Sequence, residues 1–295
     1  MTKPLKMTFC IVANPEKYSI QKPLIRVVDW CKRNKIPLFI TQELHSFFPA
    51  LSEFDTLHIV SSETEAIQHS DIVIALGGDG TMLHTAQMVK YSSKPVLGIN
   101  TGRLGFMANI QPSQIEVAFD HLVKNDFTID KRDLLQATVP GGKQYYALNE
   151  FLFTKKDTSS MISLTVEYDG KLINEYWADG LLVSSPSGST AYNLSAGGPI
   201  VLPGTPVMVL TPINPHTLTT RPLVLPSDKK LTVKTSETPE NILFSYDGII
   251  LPHNSKFDVE ISRSDYSFHL IQLPDQNYFE TLRNKLMWGM DKRKN

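Results

Sequence analysis

Apolar residues in the first hundred positions follow two alternating rhythms. Residues 7–13 (MTFCIVA) form an apolar run of strand length, after which Leu24, Val27, Val28 and Cys31 recur at helical spacing. Residues 37–41 read as a second strand, 63–70 as a short helix and 71–76 (DIVIAL) as a fully apolar strand. Met82, Leu83, Ala86 and Val89 then mark one face of a helix, and 95–100 (PVLGIN) the next strand. Apolar strands that run on without alternation, set between helices, predict a parallel sheet covered on both faces.

The rhythm changes near Gly102. Short strand signals follow at 145–153, 161–168, 207–213, 231–235, 257–262 and 267–273, punctuated by Pro and Gly. Asp169-Gly170 stands between apolar-alternating segments 161–168 and 171–177, a strong local signal for a tight hairpin. This half is expected to be a mainly β sandwich or barrel-like domain. Residues 115–123 read as a single helix at the junction. Phe279, Leu282 and Leu286 share a helical stripe that should return to the N-terminal body, and Lys292-Arg293-Lys294 reads as a solvated tail. The expected organisation is an α/β domain over 1–102, a β domain over 103–273 and a returning helix over 274–295.

Composition narrows the classes without choosing a function. The 295 residues carry 29 basic and 30 acidic side chains, a net charge of −1, which removes the electrostatic footprint of a general nucleic-acid binder. No apolar run approaches the ~18 residues of a membrane helix. Cys10 and Cys31 sit in apolar stretches without metal spacing, and residues 1–6 lack the features of a signal peptide, so reduced thiols and a cytoplasmic location are expected. No phosphate-loop, dinucleotide-fingerprint, nucleophile-elbow or zinc-protease motif occurs; Gly142-Lys143 has Ala137 where a phosphate loop needs its first glycine. The eight histidines show no ligand spacing, so no protein-held metal site is expected, and His58 reads as a core or edge residue.

Five polar constellations stand out. Gly77-Gly78-Asp79-Gly80-Thr81 follows an apolar strand and opens a helix, where glycines bring N–H groups close to an anion and the helix start favours phosphate. A carboxylate there either accepts a proton from an attacking hydroxyl, meets a metal ion, or simply caps the helix. Asn100 to Phe106 (NTGRLGF) follows the next strand as a second ligand loop or a hinge. In the β half, Asn149-Glu150 lies inside strand-like text, suited to a ribose diol or a base edge, or else to a solvated strand end. Asp179 to Ile200 (DGLLVSSPSGSTAYNLSAGGPI) packs small and hydroxyl residues around Tyr192, which offers a ring for stacking. Tyr246-Asp247-Gly248 is a weaker Asp-Gly turn.

In this order, GGDGT, NTGRLGF, LNE, the long Asp179–Ile200 motif and Asp247-Gly248 resemble the NAD kinase family over nearly the whole chain. GGDG alone is shared with lipid kinases and phosphofructokinases, whereas the long motif with Asn149-Glu150 is specific. The resemblance implies a Rossmann-like, phosphofructokinase-like domain, a β-sandwich domain, and transfer of a phosphoryl group from ATP or polyphosphate to NAD with a divalent cation, Mg²⁺. It implies that Asp79 accepts the proton of the adenosine-ribose 2′-hydroxyl and that Gly80 and His84 lie beside phosphates. Phe106 would border the pocket; Asn149, Glu150, Trp177, Asp179, Ser187, Thr190, Ala191, Tyr192, Asn193, Leu194, Ser195 and Asp247 would hold the dinucleotide. It further implies a homo-oligomer, dimer or tetramer. His84 and Trp177 stand where the family often has basic residues, Ser187 where Thr is frequent and Ile249 where Gln is common. A related lipid or sugar kinase would lack the long motif, and a non-catalytic NADP sensor would have lost Asp79.

Overall fold

The structure, a computed structural model, describes residues 7–49, 55–102, 104–156, 161–235, 241–252 and 258–289. Phe257 and the Lys292–Lys294 tail lie outside the described residues. The chain divides into two compact units, Met1–Lys131 with His269–Asn295, and Arg132–Phe268.

Unit 1 is an α/β layer structure. Its strands β1 (Phe9–Ala13), β2 (Leu38–Thr41), β3 (Leu57–Val60), β4 (Ile72–Gly77) and β5 (Val96–Asn100) are parallel in the order β5-β4-β1-β2-β3. Helices α1 (Gln21–Asn34), α2 (Gln42–Phe47), α3 (Glu63–His69), α4 (Asp79–Val89), α5 (Ile115–Val123) and α7 (Tyr278–Leu286) belong to this unit. Every residue of β4 and β5 is buried, as continuous apolar strands between two helical layers require. From α1, Leu24, Val27, Val28 and Cys31 all point into this core, joined by Trp30, whose ring meets Phe119 of α5 edge-on at 5.1 Å. Lys94 donates to the carbonyls of Ile67, Gln68 and Ser70 and so closes the C-terminal end of α3.

Unit 2 is a β sandwich. One sheet is antiparallel in the order β13 (Leu223–Pro226), β12 (Val207–Ile213), β11 (Gly180–Ser184), β8 (Glu150–Lys155), β15 (Ile242–Tyr246), β16 (Ile249–Leu251). The facing layer runs β10 (Lys171–Ala178), β9 (Ile162–Tyr168), β14 (Leu231–Thr235) and the long β17 (Asp258–Gln272). Beside them β7 (Gln144–Ala147) pairs with the later residues of β6 (Thr128–Thr138). Phe151, Phe153, Leu181 and Val183 from one sheet and Leu164, Val166, Val233 and Ile261 from the other fill the space between. The Asp169-Gly170 hairpin forms as predicted: Tyr168 pairs with Lys171, and positive φ at both turn residues (53° and 74°) suits the strand twist.

Three sequence expectations change. The segment 145–153 is two strands, β7 and β8, broken at Leu148-Asn149, because tertiary hydrogen bonds take the backbone of that dipeptide off the sheet. Segments 257–262 and 267–273 are parts of the single strand β17, whose first residues pair with β14 while Leu270 lies parallel to Val96 of β5. Apolar periodicity gives no break there, only a change of neighbours. The units divide at Lys131 and Phe268, whereas the change of rhythm in the sequence falls near Gly102. Residues 104–127 stay with unit 1, since α5 packs on α1 through Phe119 and the Arg26–Glu116 pair. His58 lies on the edge strand β3 and stacks on Phe39 at 4.7 Å.

Candidate active site

The turn after β4 carries the first cluster. Gly78 is the N-cap of α4 and Asp79 its first residue, so the Asp79 side chain does not cap its own helix. Its carboxylate reaches instead to the segment that turns back along β5. Oδ2 accepts the N–H of Phe106 at 3.0 Å, while Oδ1 accepts those of Met107 and Ala108 at 3.0 and 3.3 Å. Gly105 permits this approach, because a Cβ there would stand 2.2 Å from Asp79 Oδ1. A fourth donor comes from α7: Lys285 Nζ lies 3.0 Å from Oδ2 and 4.4 Å above the Phe106 ring. Burial by itself would push the Asp79 carboxyl up. The Phe106 N–H, the Lys285 charge and the Met107 N–H together outweigh burial and hold it below the ordinary aspartate value. The carboxylate is therefore an ionised acceptor at neutral pH.

Beside it, Gly80, Thr81 and His84 line a cleft of about 560 Å³ with residues 13–17, Glu43 and Glu63. The cleft opens at the carboxyl ends of β1 and β4, where open α/β sheets place ligands. His84 pairs with Glu63 at 2.6 Å, and this hydrogen bond raises the imidazole's affinity for its proton against the opposing effect of burial. Phe106 packs against Tyr278 of α7 at 6.2 Å. Of the stripe predicted for that helix, Leu282 is buried and Phe279 is exposed.

Unit 2 carries the second cluster. Asp247 sits at φ 46° in the hairpin between β15 and β16 and presents its carboxylate to the break between β7 and β8. Oδ2 accepts the N–H of Leu148 at 2.8 Å; Oδ1 accepts those of Asn149 and Glu150 at 2.8 and 3.2 Å. The hydroxyls of Ser185 and Ser184 donate to the carbonyls of Leu148 and Asn149. Gly188 lets the small-residue loop press on this backbone, since a Cβ there would meet the Asn149 carbonyl at 2.2 Å. Asn149 is nearly buried, 8% exposed as a residue. Glu150 Oε2 is buried and unpartnered. Burial, reinforced by the Asp247 charge, pushes the Glu150 carboxyl up to about 8, so at neutral pH it is mostly a neutral acid that can donate as well as accept.

The remaining predicted residues fall around this loop. Asp179 joins β10 to β11 and is held below the usual carboxylate range by hydrogen bonds from Lys155 (2.6 Å) and Asn214 (3.1 Å). Neither partner is marked by any motif. Trp177 is exposed and lies against His216 at 4.7 Å. Ser187 accepts from the buried Arg132 at 3.4 Å, and Thr190 closes the 3-10 turn Ser187–Thr190. In the short helix α6 (Tyr192–Ser195), Tyr192 and Ser195 are exposed and Leu194 is half-buried, as is the preceding Ala191. The Asn193 side chain points inward, fully buried: it donates to the carbonyls of Ser189 and Pro199 and accepts from Thr211. It braces the loop from beneath. A Ser/Gly-rich segment of this kind stays ordered because Asn193 and Ser189, which donates to the Pro186 carbonyl and accepts the Val201 N–H, tie its backbone in place.

Residues 9–127 match the family model for the ATP-NAD kinase N-terminal domain and 148–273 that for the ATP-NAD kinase C-terminal domain. An NAD kinase of Flavobacterium psychrophilum is 37% identical over 278 residues, covering 92% of this chain and 95% of the relative. One from Flavobacterium johnsoniae is 40% identical over 228 residues, covering 76% and 78%. Among solved structures, yeast NADH kinase complexed with NADH shares the fold with a TM-score of 0.88 at 22% identity, covering 100% of this chain and 91% of the other. An Archaeoglobus fulgidus NAD kinase in complex with ATP gives 0.75 at 23%, covering 95% and 99%.

Proposed function

The chain belongs to the NAD kinase family and phosphorylates NAD, and from that premise we propose that it moves a phosphoryl group from ATP to the 2′-hydroxyl of the adenosine ribose, giving NADP and ADP. The observation that carries this reading is the Asp79 carboxylate, ionised and oriented by three backbone N–H groups at the start of α4.

Asp79 accepts the hydroxyl proton as the new P–O bond forms and the bond to the ADP leaving oxygen breaks. A carboxylate of depressed basicity suits this role. In a loose transition state the hydroxyl oxygen has scarcely begun to bond, so orientation contributes more than base strength. Gly80 and the α4 N-terminus lie beside phosphates, and His84, charged more readily through Glu63, adds positive character there. Polyphosphate is a second donor of the same chemistry. A divalent cation such as Mg²⁺, bound with the nucleotide, would supply neutralisation of phosphate charge. Glu16, Glu43 and Glu63 line the same cleft with oxygen donors of the type it prefers, although no group of three or more His, Cys, Asp or Glu gathers into a metal cluster among the described residues.

In unit 2 the Asn149 amide and the neutral, unpartnered Glu150 acid offer hydrogen bonds to the dinucleotide, and Tyr192 a ring for its base. Asp179, Ser187, Thr190 and Ser195 complete the polar lining, Ala191 and Leu194 add small apolar contacts, and Trp177 borders it. Asn193 and Asp247 act by holding the backbone of that lining in place. We place the protein in the cytoplasm as a homo-oligomer, dimer or tetramer; exposed Leu223, Val224, Ile249 and Ile250 on the outer strands of one sheet support association. No helix among the described residues is long and apolar enough to cross a membrane.

The test is incubation of the purified protein with ATP, Mg²⁺ and NAD, with NADP as the measured product. Absence of NADP with ATP and with polyphosphate overturns the reading.

A further inference from the structure

The Asp79 carboxylate has about four acceptor positions on its two oxygens. In this structure all are taken: Met107 and Ala108 on Oδ1, Phe106 and Lys285 on Oδ2. A hydroxyl that is to hand its proton to Asp79 therefore has to displace one of these donors. Three are backbone N–H groups fixed by the chain that turns back along β5, where Asn100 donates to the Ala108 carbonyl and the Ile110 N–H to that of Gly98. The fourth is an ammonium group on a four-carbon stem, with 30% of the side chain exposed. It alone leaves without disturbing backbone. It also has somewhere to stay, over the face of Phe106.

We infer that Lys285, contributed by the C-terminal helix, is a positioning residue that holds Oδ2 and then yields that position to the incoming hydroxyl. The inference deepens the assignment of Asp79 as the proton acceptor and rests on it. Among the described residues the charged surroundings of Asp79 are simple. The segment 104–108 offers it only N–H groups. On α4 the nearest titratable side chain, His84, is turned to Glu63. From α7, Lys285 is the ion-pair partner. A freed ammonium remains beside the reacting centre, where phosphate oxygens are its natural partners.

The experiment compares wild type, Lys285→Met and Lys285→Arg in the full chain. The Asp79 carboxyl is titrated directly by carbon-13 NMR, its resonance assigned with Asp79→Asn. NAD affinity is measured by calorimetry without a phosphoryl donor, and the pH profile of kcat/KM is recorded. In Lys285→Met the carboxyl should titrate higher than in wild type, and the acid limb of the profile should move up with it. Lys285→Arg should restore both. NAD should bind Lys285→Met as well as wild type or better, since no partner has to be displaced. A carboxyl titration that does not move overturns the inference. So does uniform loss of activity with an unshifted limb, which marks a merely structural helix contact. NAD binding weakened tenfold or more overturns it too, because Lys285 would then hold the dinucleotide itself. The NMR titration needs no turnover, so failure of the kinase assignment would show separately, as a wild type that makes no NADP.

Discussion

Asp79 in unit 1 and Asp247 in unit 2 use the same device in different settings. Each points its carboxylate at three consecutive backbone N–H groups from a remote segment, 106–108 in one case and 148–150 in the other. What surrounds each carboxylate then separates their roles. Asp79 opens a helix beside a ligand-sized cleft and is paired with the side-chain cation of Lys285. Asp247 sits at positive φ in a hairpin turn, and its charge helps to keep Glu150 protonated. A carboxylate set in a ring of N–H groups is thus a general way of fixing a chain reversal. It becomes a candidate for chemistry where one of its donors can leave.

The comparison predicts effects of different kinds at the two sites. Asp79→Asn should fold and still bind NAD while turnover falls by about 10²–10⁴-fold, the usual cost of losing a general base; kcat and calorimetric NAD affinity check this. Near-normal turnover would reduce Asp79 to the structural role of its counterpart. Asp247→Ala should act mainly on stability. It orphans three N–H groups in a partly buried place, costing roughly 2–5 kcal/mol, to be read from denaturant unfolding. If stability holds and only NAD affinity falls, Asp247 touches ligand rather than backbone.

Gly105→Ala sharpens the same contrast, because the added methyl would press on Asp79 Oδ1 and shift the carboxylate. A misplacement near 1 Å costs about 10²-fold in turnover, and kcat should fall, with thermal stability lowered as well because the bonds from Asp79 to the 106–108 N–H groups are strained. The smallest effect concerns Glu150. Its folded pKa, about 8, lies above the ordinary 4.5, so the folded state binds the extra proton between those values. Stability from this group is complete below about 4.5 and is lost as pH rises towards 8. Glu150→Gln should abolish that decline in Tm across the same window while leaving Tm at pH 5 nearly unchanged. Parallel Tm–pH curves for the two proteins would mean that Glu150 is not buried as a neutral acid.

Much of the architecture was legible because it is local. Continuous apolar strands separated by helical spacing announced the parallel sheet of unit 1, and Asp169-Gly170 announced its hairpin, since positive φ at both residues is something that dipeptide tolerates. The GGDG turn was visible as chemistry, yet the capping alternative for Asp79 could not be set aside from sequence. Its partners lie 27 to 29 residues ahead and, for Lys285, 206. Asn193 shows the same limit in reverse. In a hydroxyl-rich ligand loop it reads as another contact, but the fold turns it inward to brace the loop on Thr211.

By itself, then, the sequence determined the elements, their two rhythms and the residue types offered to a nucleotide. Periodicity, turn propensity and glycine spacing act over a few residues and need no distant partner. The tertiary structure decided which carboxylate is braced by backbone, which acid is kept neutral and which lysine stands guard over Asp79. Those properties depend on burial and on charges a few ångströms away, and only the folded chain brings residues 79, 106 and 285, or 148 and 247, within that distance.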